Sequence, residues 1–139
     1  MKPATIDTSG WKPVGETSNT RYFEIEPTLL AALPHPGASD DRQTAHENQR
    51  FQNEHWRKLG RGGVVVVFFD NMVSQNKDAR RIYQEEPDPA LMLGTALVGG
   101  TLLSRAMGSF FLGLSKPRIP VKMFPSLDEA RAWARERVR

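Results

Sequence analysis

The chain has no cysteine among its 139 residues, which excludes disulfides, thiolate metal sites and a cysteine nucleophile and removes any demand for an oxidising compartment. Histidine is sparse, at three residues: His35, His46 and His55. His46 and His55 lie nine positions apart on a predicted helix, about 180° out of phase, and so do not share a metal. The His46-Glu47 pair lacks the second histidine of an H-E-x-x-H zinc motif, and no G-x-S-x-G elbow is present. GRGG at residues 60–63 precedes a strand pattern, whereas phosphate-cradling glycines follow a strand and open a helix. With no convergent acid, base and nucleophile, the expectation is a non-enzymatic protein: no catalytic residue, no metal site and no cofactor is assigned.

The first residues, MKPATIDTSGWKPVGETSNT, lack the apolar run of a secretory signal, so a cytoplasmic location is expected. Residues 1–19 read as a flexible arm, and residues 20–139 as one domain large enough to bury its own core. The net charge is +3 and the isoelectric point about 9.5, but the positive residues are scattered. Much of the excess falls in the last helix, where it complements the negative end of the helix dipole, so no nucleic-acid partner is expected.

What is present is an alternation of strand and helix patterns. TRYFEI, from Thr20, alternates with Phe23 and Ile25 on one face, and Leu29 to Leu33 make a second short strand ended by PHPG. A helix follows with Ser39, Asp40 or Asp41 as its N-cap, an inner stripe of Ala45, Gln52, Trp56 and Leu59, and Gly60 as its stop. GGVVVVFFD contains six consecutive β-branched or aromatic residues without alternation, the pattern of a central strand covered on both faces. SQNKDARRIYQEE offers Ser74 as a cap and Ala79, Ile82 and Tyr83 at helical spacing. After an alternating IPVKMF, the sequence PSLDEARAWARERVR opens with Ser126 and Glu129 as a capping box and sets Leu127, Ala130, Trp133, Ala134 and Val138 on one face. The fold expected is α/β, with a mixed, largely parallel sheet of four to five strands and helices packed against it.

Residues 91–114, LMLGTALVGGTLLSRAMGSFFLGL, carry a single charge, Arg105. The segment is long enough for a bilayer span, but Gly99 and Gly100 interrupt its middle and Arg105 would cost a few kcal/mol near the centre of a span. It reads instead as a strand, a turn and a helix from Thr101, with no transmembrane segment. That helix carries Leu102, Leu103, Met107, Phe110 and Phe111 around more of its circumference than one sheet face covers, and a protein partner, self-association or an apolar ligand would complete the burial.

The order VVVVFFD, DARRIY and then ALVGGTLLSRAMGSFFLGLSKPRIPVKMFPSLDEARAWAR resembles small bacterial proteins of the STAS-like group, related in fold to anti-sigma-factor antagonists and commonly labelled STAS or CRAL-TRIO-like domains. The resemblance covers residues 22–137. It implies a mixed sheet with packed helices, used in that group for protein regulation or small-ligand binding. In partner-switching antagonists a serine opening a helix after the central strand is phosphorylated; Ser74 lies in that region, but DNMVSQNKDARR lacks the family's Asp-Ser-Ser-Gly-like motif. Gly99 and Gly100, with Thr101 and Arg105 beside them, form a second candidate, an anion site at a strand-to-helix turn. The expected function is a regulatory module acting through protein contacts, with self-association into a homo-oligomer; the alternative is a carrier of a small apolar ligand or lipid in a cavity lined by the helix of residues 101–114.

Overall fold

The computed structural model describes residues 6–100 and 117–139. Two antiparallel hairpins open the fold. β1 (Lys12–Glu16) pairs with β2 (Thr20–Glu26), and β2 with β3 (Leu29–Pro34). Three further strands then add in parallel: β5 (Gly63–Phe68) beside β3, β7 (Met92–Val98) beside β5, and β8 (Val121–Phe124) beside β7. The resulting six-stranded sheet has the order β1-β2-β3-β5-β7-β8. A separate two-stranded parallel sheet joins β4 (Ala38–Asp40) to β6 (Met72–Gln75).

The mixed, largely parallel α/β architecture is therefore the one expected, with two corrections. The sheet has six strands rather than four or five, and the supposed arm of residues 1–19 supplies the extra one. KPVGE shows no strand alternation, yet Thr17 N–H donates to the Thr20 carbonyl at 2.8 Å and closes a hairpin against β2. Trp11 then packs its ring at 6.0 Å from Phe68 and 6.3 Å from Phe23, contributing apolar burial to the core that a loose arm would lack.

β5 is the central strand because Val64, Val65 and Val66 are fully buried and their alternate side chains feed opposite layers. On one face Val64 and Val66 join Leu29, Ala31, Leu33, Phe68 and Ala96 under α3 (Leu127–Arg137). Ser126 caps α3 by accepting from Glu129 N–H, and Ala130 and Ala134 are its buried stripe, with Leu127, Trp133 and Val138 at the edges, as the periodicity requires. Arg131 and Arg135 of α3 pair with Glu26, at 3.1 Å each, which commits part of the basic excess to structure.

On the other face Val65 packs with Tyr22, Leu30, Ala32 and Met92 under α1 (Arg42–Leu59), and α2 (Lys77–Glu85) lies beside α1. Asp41 is the N-cap of α1: its carboxylate accepts from Thr44 N–H at 2.9 Å, and Thr44 Oγ1 accepts from Asp41 N–H at 2.9 Å. Gly60, at φ 69°, closes the helix in the left-handed conformation that favours glycine. The inner stripe departs from expectation. Ala45 and Trp56 are buried, but Leu59 is 40% exposed, and Asn48, Gln49 and Gln52 fill the stripe between them. The α2 cap is corrected too: Asn76, not Ser74, accepts from Ala79 N–H, at 2.9 Å.

Candidate functional site

A polar network between α1, α2 and the sheet gives the fold its one strongly unusual interior among the described residues. Its direction can be followed from the backbone inward. Asn19 Nδ2 donates to the Ser39 carbonyl at 3.0 Å, which fixes Asn19 Oδ1 as an acceptor. That oxygen accepts from Thr20 Oγ1 at 2.9 Å and from Asn48 Nδ2 at 2.8 Å, so Asn48 Oδ1 in turn faces donors. Thr17 Oγ1, at 2.6 Å, and the Tyr22 hydroxyl, at 3.0 Å, supply them. Having donated to Asn48, the Tyr22 oxygen accepts from Gln52 Nε2 at 3.1 Å. A second branch runs from Asn48 Nδ2 to the Tyr83 hydroxyl, at 3.4 Å, and from that hydroxyl to Asp40 Oδ2 at 2.7 Å.

Gln49 is oriented by a parallel route. Asp88 N–H donates to Asn53 Oδ1 at 3.2 Å, and Gln49 Nε2 donates to the same oxygen at 3.1 Å. Each glutamine thus orients its amide through one N–H bond and retains Oε1, for which the described residues supply no hydrogen bond. Both are nine-tenths or more buried, Gln49 at 2% and Gln52 at 5% exposure.

The space for an occupant is there. Gln49 and Gln52 line a cavity of about 50 Å³, with Asp40, Asn48, Tyr22 and Tyr83 on its polar side. Val67, Leu97, Phe69, Met72, Val121 and Ala32 form an apolar floor. At roughly 12 Å³ for each water centre, this volume holds about four waters or one short organic molecule.

Asp40 is 3% exposed, and burial pushes its carboxyl above the ordinary value, opposed by hydrogen bonds from Thr44, Tyr83, Gln75 and Asn19. No lysine or arginine contributes to that balance. Tyr22 and Tyr83 are raised by the same desolvation, and the Asp40 charge raises both further, so both hydroxyls stay protonated and serve as donors. His55 sits outside the network, its ring 4.7 Å from that of Trp56, with its acidity increased by burial. His46 instead bonds Glu86 at 2.7 Å and links α1 to the end of α2. Among the described residues no three His, Asp or Glu side chains gather as a metal site.

The sites expected from sequence fare differently. Thr101, Leu102, Leu103, Arg105, Met107, Phe110 and Phe111 lie outside the described residues. Ser74 is exposed on β6, paired with Ser39 of β4, and does not begin the helix. Gly99 N–H donates to the Phe124 carbonyl at 3.4 Å, and Gly100 N–H to both Asp70 carboxylate oxygens at 3.1 Å. The Gly100 donor expected to meet an external anion is therefore held by a carboxylate of the same chain. Of residues 91–114, Met92–Val98 is a strand, and among the described residues no helix is long and apolar enough to cross a membrane. The sequence assigns no site to the cavity residues, yet Gln52 is a polar residue within the otherwise apolar stripe of Ala45, Trp56 and Leu59. That polar break, repeated at Asn48 and Gln49, is the signal that marks the site.

Fold and site together define a mixed α/β domain with a hydrogen-bonded cavity under its first helix. The chain belongs to a family described as a domain of unknown function, DUF7793, whose model matches residues 42–137, well over half of the sequence. No curated protein and no solved structure matches the chain. The matched segment starts at the first residue of α1, so Tyr22, Ala32 and Asp40 are added to the cavity from outside it.

Proposed function

We propose that the chain is a STAS-like binding module that performs no chemistry of its own and takes a small ligand in the cavity between α1 and the sheet. One observation carries this reading: the amide oxygens of two buried residues, Gln49 and Gln52, are oriented by the surrounding network and receive no hydrogen bond from the described residues at the wall of the cavity. Water alone satisfies such groups, but an apolar floor of Val67, Leu97 and Val121 favours a molecule with an apolar part. The cavity replaces the helix of residues 101–114 as the proposed ligand-binding element. Protein contacts and self-association through Leu102, Leu103, Met107, Phe110 and Phe111 remain the companion proposal, resting on the sequence pattern alone.

The test is a panel of small fragments observed by NMR, reading the side-chain amide signals of Gln49 and Gln52. Saturable shifts of those signals are expected from a subset of the panel and are expected to disappear in Ala32→Leu, which adds carbons at the cavity wall. If no fragment moves either signal, or if the same shifts persist in Ala32→Leu with a cooperative melt, the cavity is not the binding site.

A further inference from the structure

Resting on that reading, we infer that the ligand is a short organic cation, an alkylammonium whose N–H groups donate to Gln49 Oε1 and Gln52 Oε1 beside the Asp40 carboxylate, with its alkyl part against the apolar floor. The glutamine amides at the cavity wall are only partly committed. Gln49 Nε2 gives one of its two N–H groups to Asn53 and Gln52 Nε2 one of its two to Tyr22, while the tyrosine hydroxyls donate to Asn48 and Asp40. Each glutamine therefore offers Oε1 and one further N–H, and the Asp40 carboxylate on the same wall tips the choice toward a ligand made of donors.

Charge narrows the class further. Asp40 lines the same cavity and is buried, and its partners are the neutral groups of Thr44, Tyr83 and Gln75. None of the ion pairs among the described residues includes it. A buried carboxylate held only by neutral donors keeps an uncompensated negative field, and a cation entering beside it gains in proportion to the low local dielectric. An anion meets both that field and the two carbonyl oxygens, and a neutral alcohol supplies only one donor. A bare metal ion satisfies the oxygens but leaves the apolar floor unused. The cavity volume of about 50 Å³ limits the alkyl part to a few carbons.

Three probes of one size separate the possibilities: propylammonium, 1-propanol and propionate, with potassium ion as a fourth, each titrated while following the Gln49 and Gln52 amide signals. Propylammonium is expected to bind most tightly, by about tenfold over 1-propanol, with propionate not bound. Asp40→Asn keeps the shape of the site and is expected to remove that preference. Gln52→Leu is expected to weaken propylammonium about tenfold, and a cooperative melt shows that each variant remains folded. Equal or tighter binding of 1-propanol or propionate overturns the cationic assignment while leaving a binding cavity in place. Potassium binding alone overturns the organic part. If no probe moves the signals and the wider fragment panel also fails, the binding reading itself falls.

Discussion

Replacing Tyr22 by phenylalanine removes one oxygen from the middle of the network and nothing else. The ring stays stacked on Phe51, at 4.2 Å between centroids and 19° between planes, and its 1% exposure means that no water from bulk replaces the hydroxyl. Asn48 Oδ1 keeps its bond from Thr17 at 2.6 Å, so the loss there is small. Gln52 Nε2 is different, because the Tyr22 hydroxyl is its partner at 3.1 Å and the residue is 5% exposed. Losing the bond and stranding a buried donor together amount to about 2 kcal/mol. For a domain of 139 residues the unfolding entropy near the midpoint is about 0.3 kcal/mol/K, which converts that loss to a fall in Tm of about 7 °C. A double-mutant cycle sharpens the assay: Gln52→Leu in the Tyr22→Phe background removes the stranded donor, and a coupling of about 1 kcal/mol between the two changes is expected. A Tm within about 1.5 °C of the parent, or strictly additive changes, refutes the hydrogen-bond directions assigned from Asn19 to Gln52.

Two other perturbations test different parts of the fold. Gly63→Ala places a methyl group on the Trp56 ring and 2.7 Å from the Thr28 carbonyl oxygen, both deeply set, so a loss of about 3 kcal/mol or more and a Tm lower by about 10 °C are expected; a melt within about 3 °C of the parent contradicts that close approach. Asp40→Asn is expected to change the pH dependence of stability. A carboxyl whose value is raised by folding favours the fold most when protonated, so its contribution is fully present below the unfolded value of 3.8 and is lost as the pH rises through the higher folded value. The asparagine variant should therefore be the more stable protein at neutral pH, with the difference shrinking as the pH approaches 3.8, followed by chemical denaturation across that range. A variant less stable than the parent at neutral pH would show that the Thr44 and Tyr83 bonds outweigh the desolvation of the charge.

How much of this was legible in the sequence depends on whether the deciding partner is near in the chain. GVVVVF and the Ser126-led helix were readable because the cause is local: a run of β-branched residues needs cover on both faces, and a serine three residues before Glu129 finds its acceptor role within one turn. β1 was not, since KPVGE becomes a strand only by pairing with β2 and by the Trp11 contacts to Phe23 and Phe68, the latter far along the chain. Ser74 and Asn76 are both good N-cap residues, and the choice between them is made by β4, which pairs with β6 and draws Ser74 into extended backbone. Gly100 kept the geometry expected of it, but Asp70, thirty residues earlier, reached its N–H group. The cavity shows the same dependence most fully. Asn48, Gln49 and Gln52 occupy the helical positions at which apolar residues ordinarily face a core, and a local reading takes them as flaws in the stripe. Asn48 and Gln52 meet Tyr22 at separations of 26 and 30 residues and Tyr83 meets Asp40 at 43, while Gln49 bonds Asn53 one turn further along the same helix. Polar residues on the inner face of a helix, as at Asn48 and Gln52, are therefore evidence of long-range hydrogen bonding rather than of weak amphipathicity, and the three at consecutive inward positions mark the wall of the cavity.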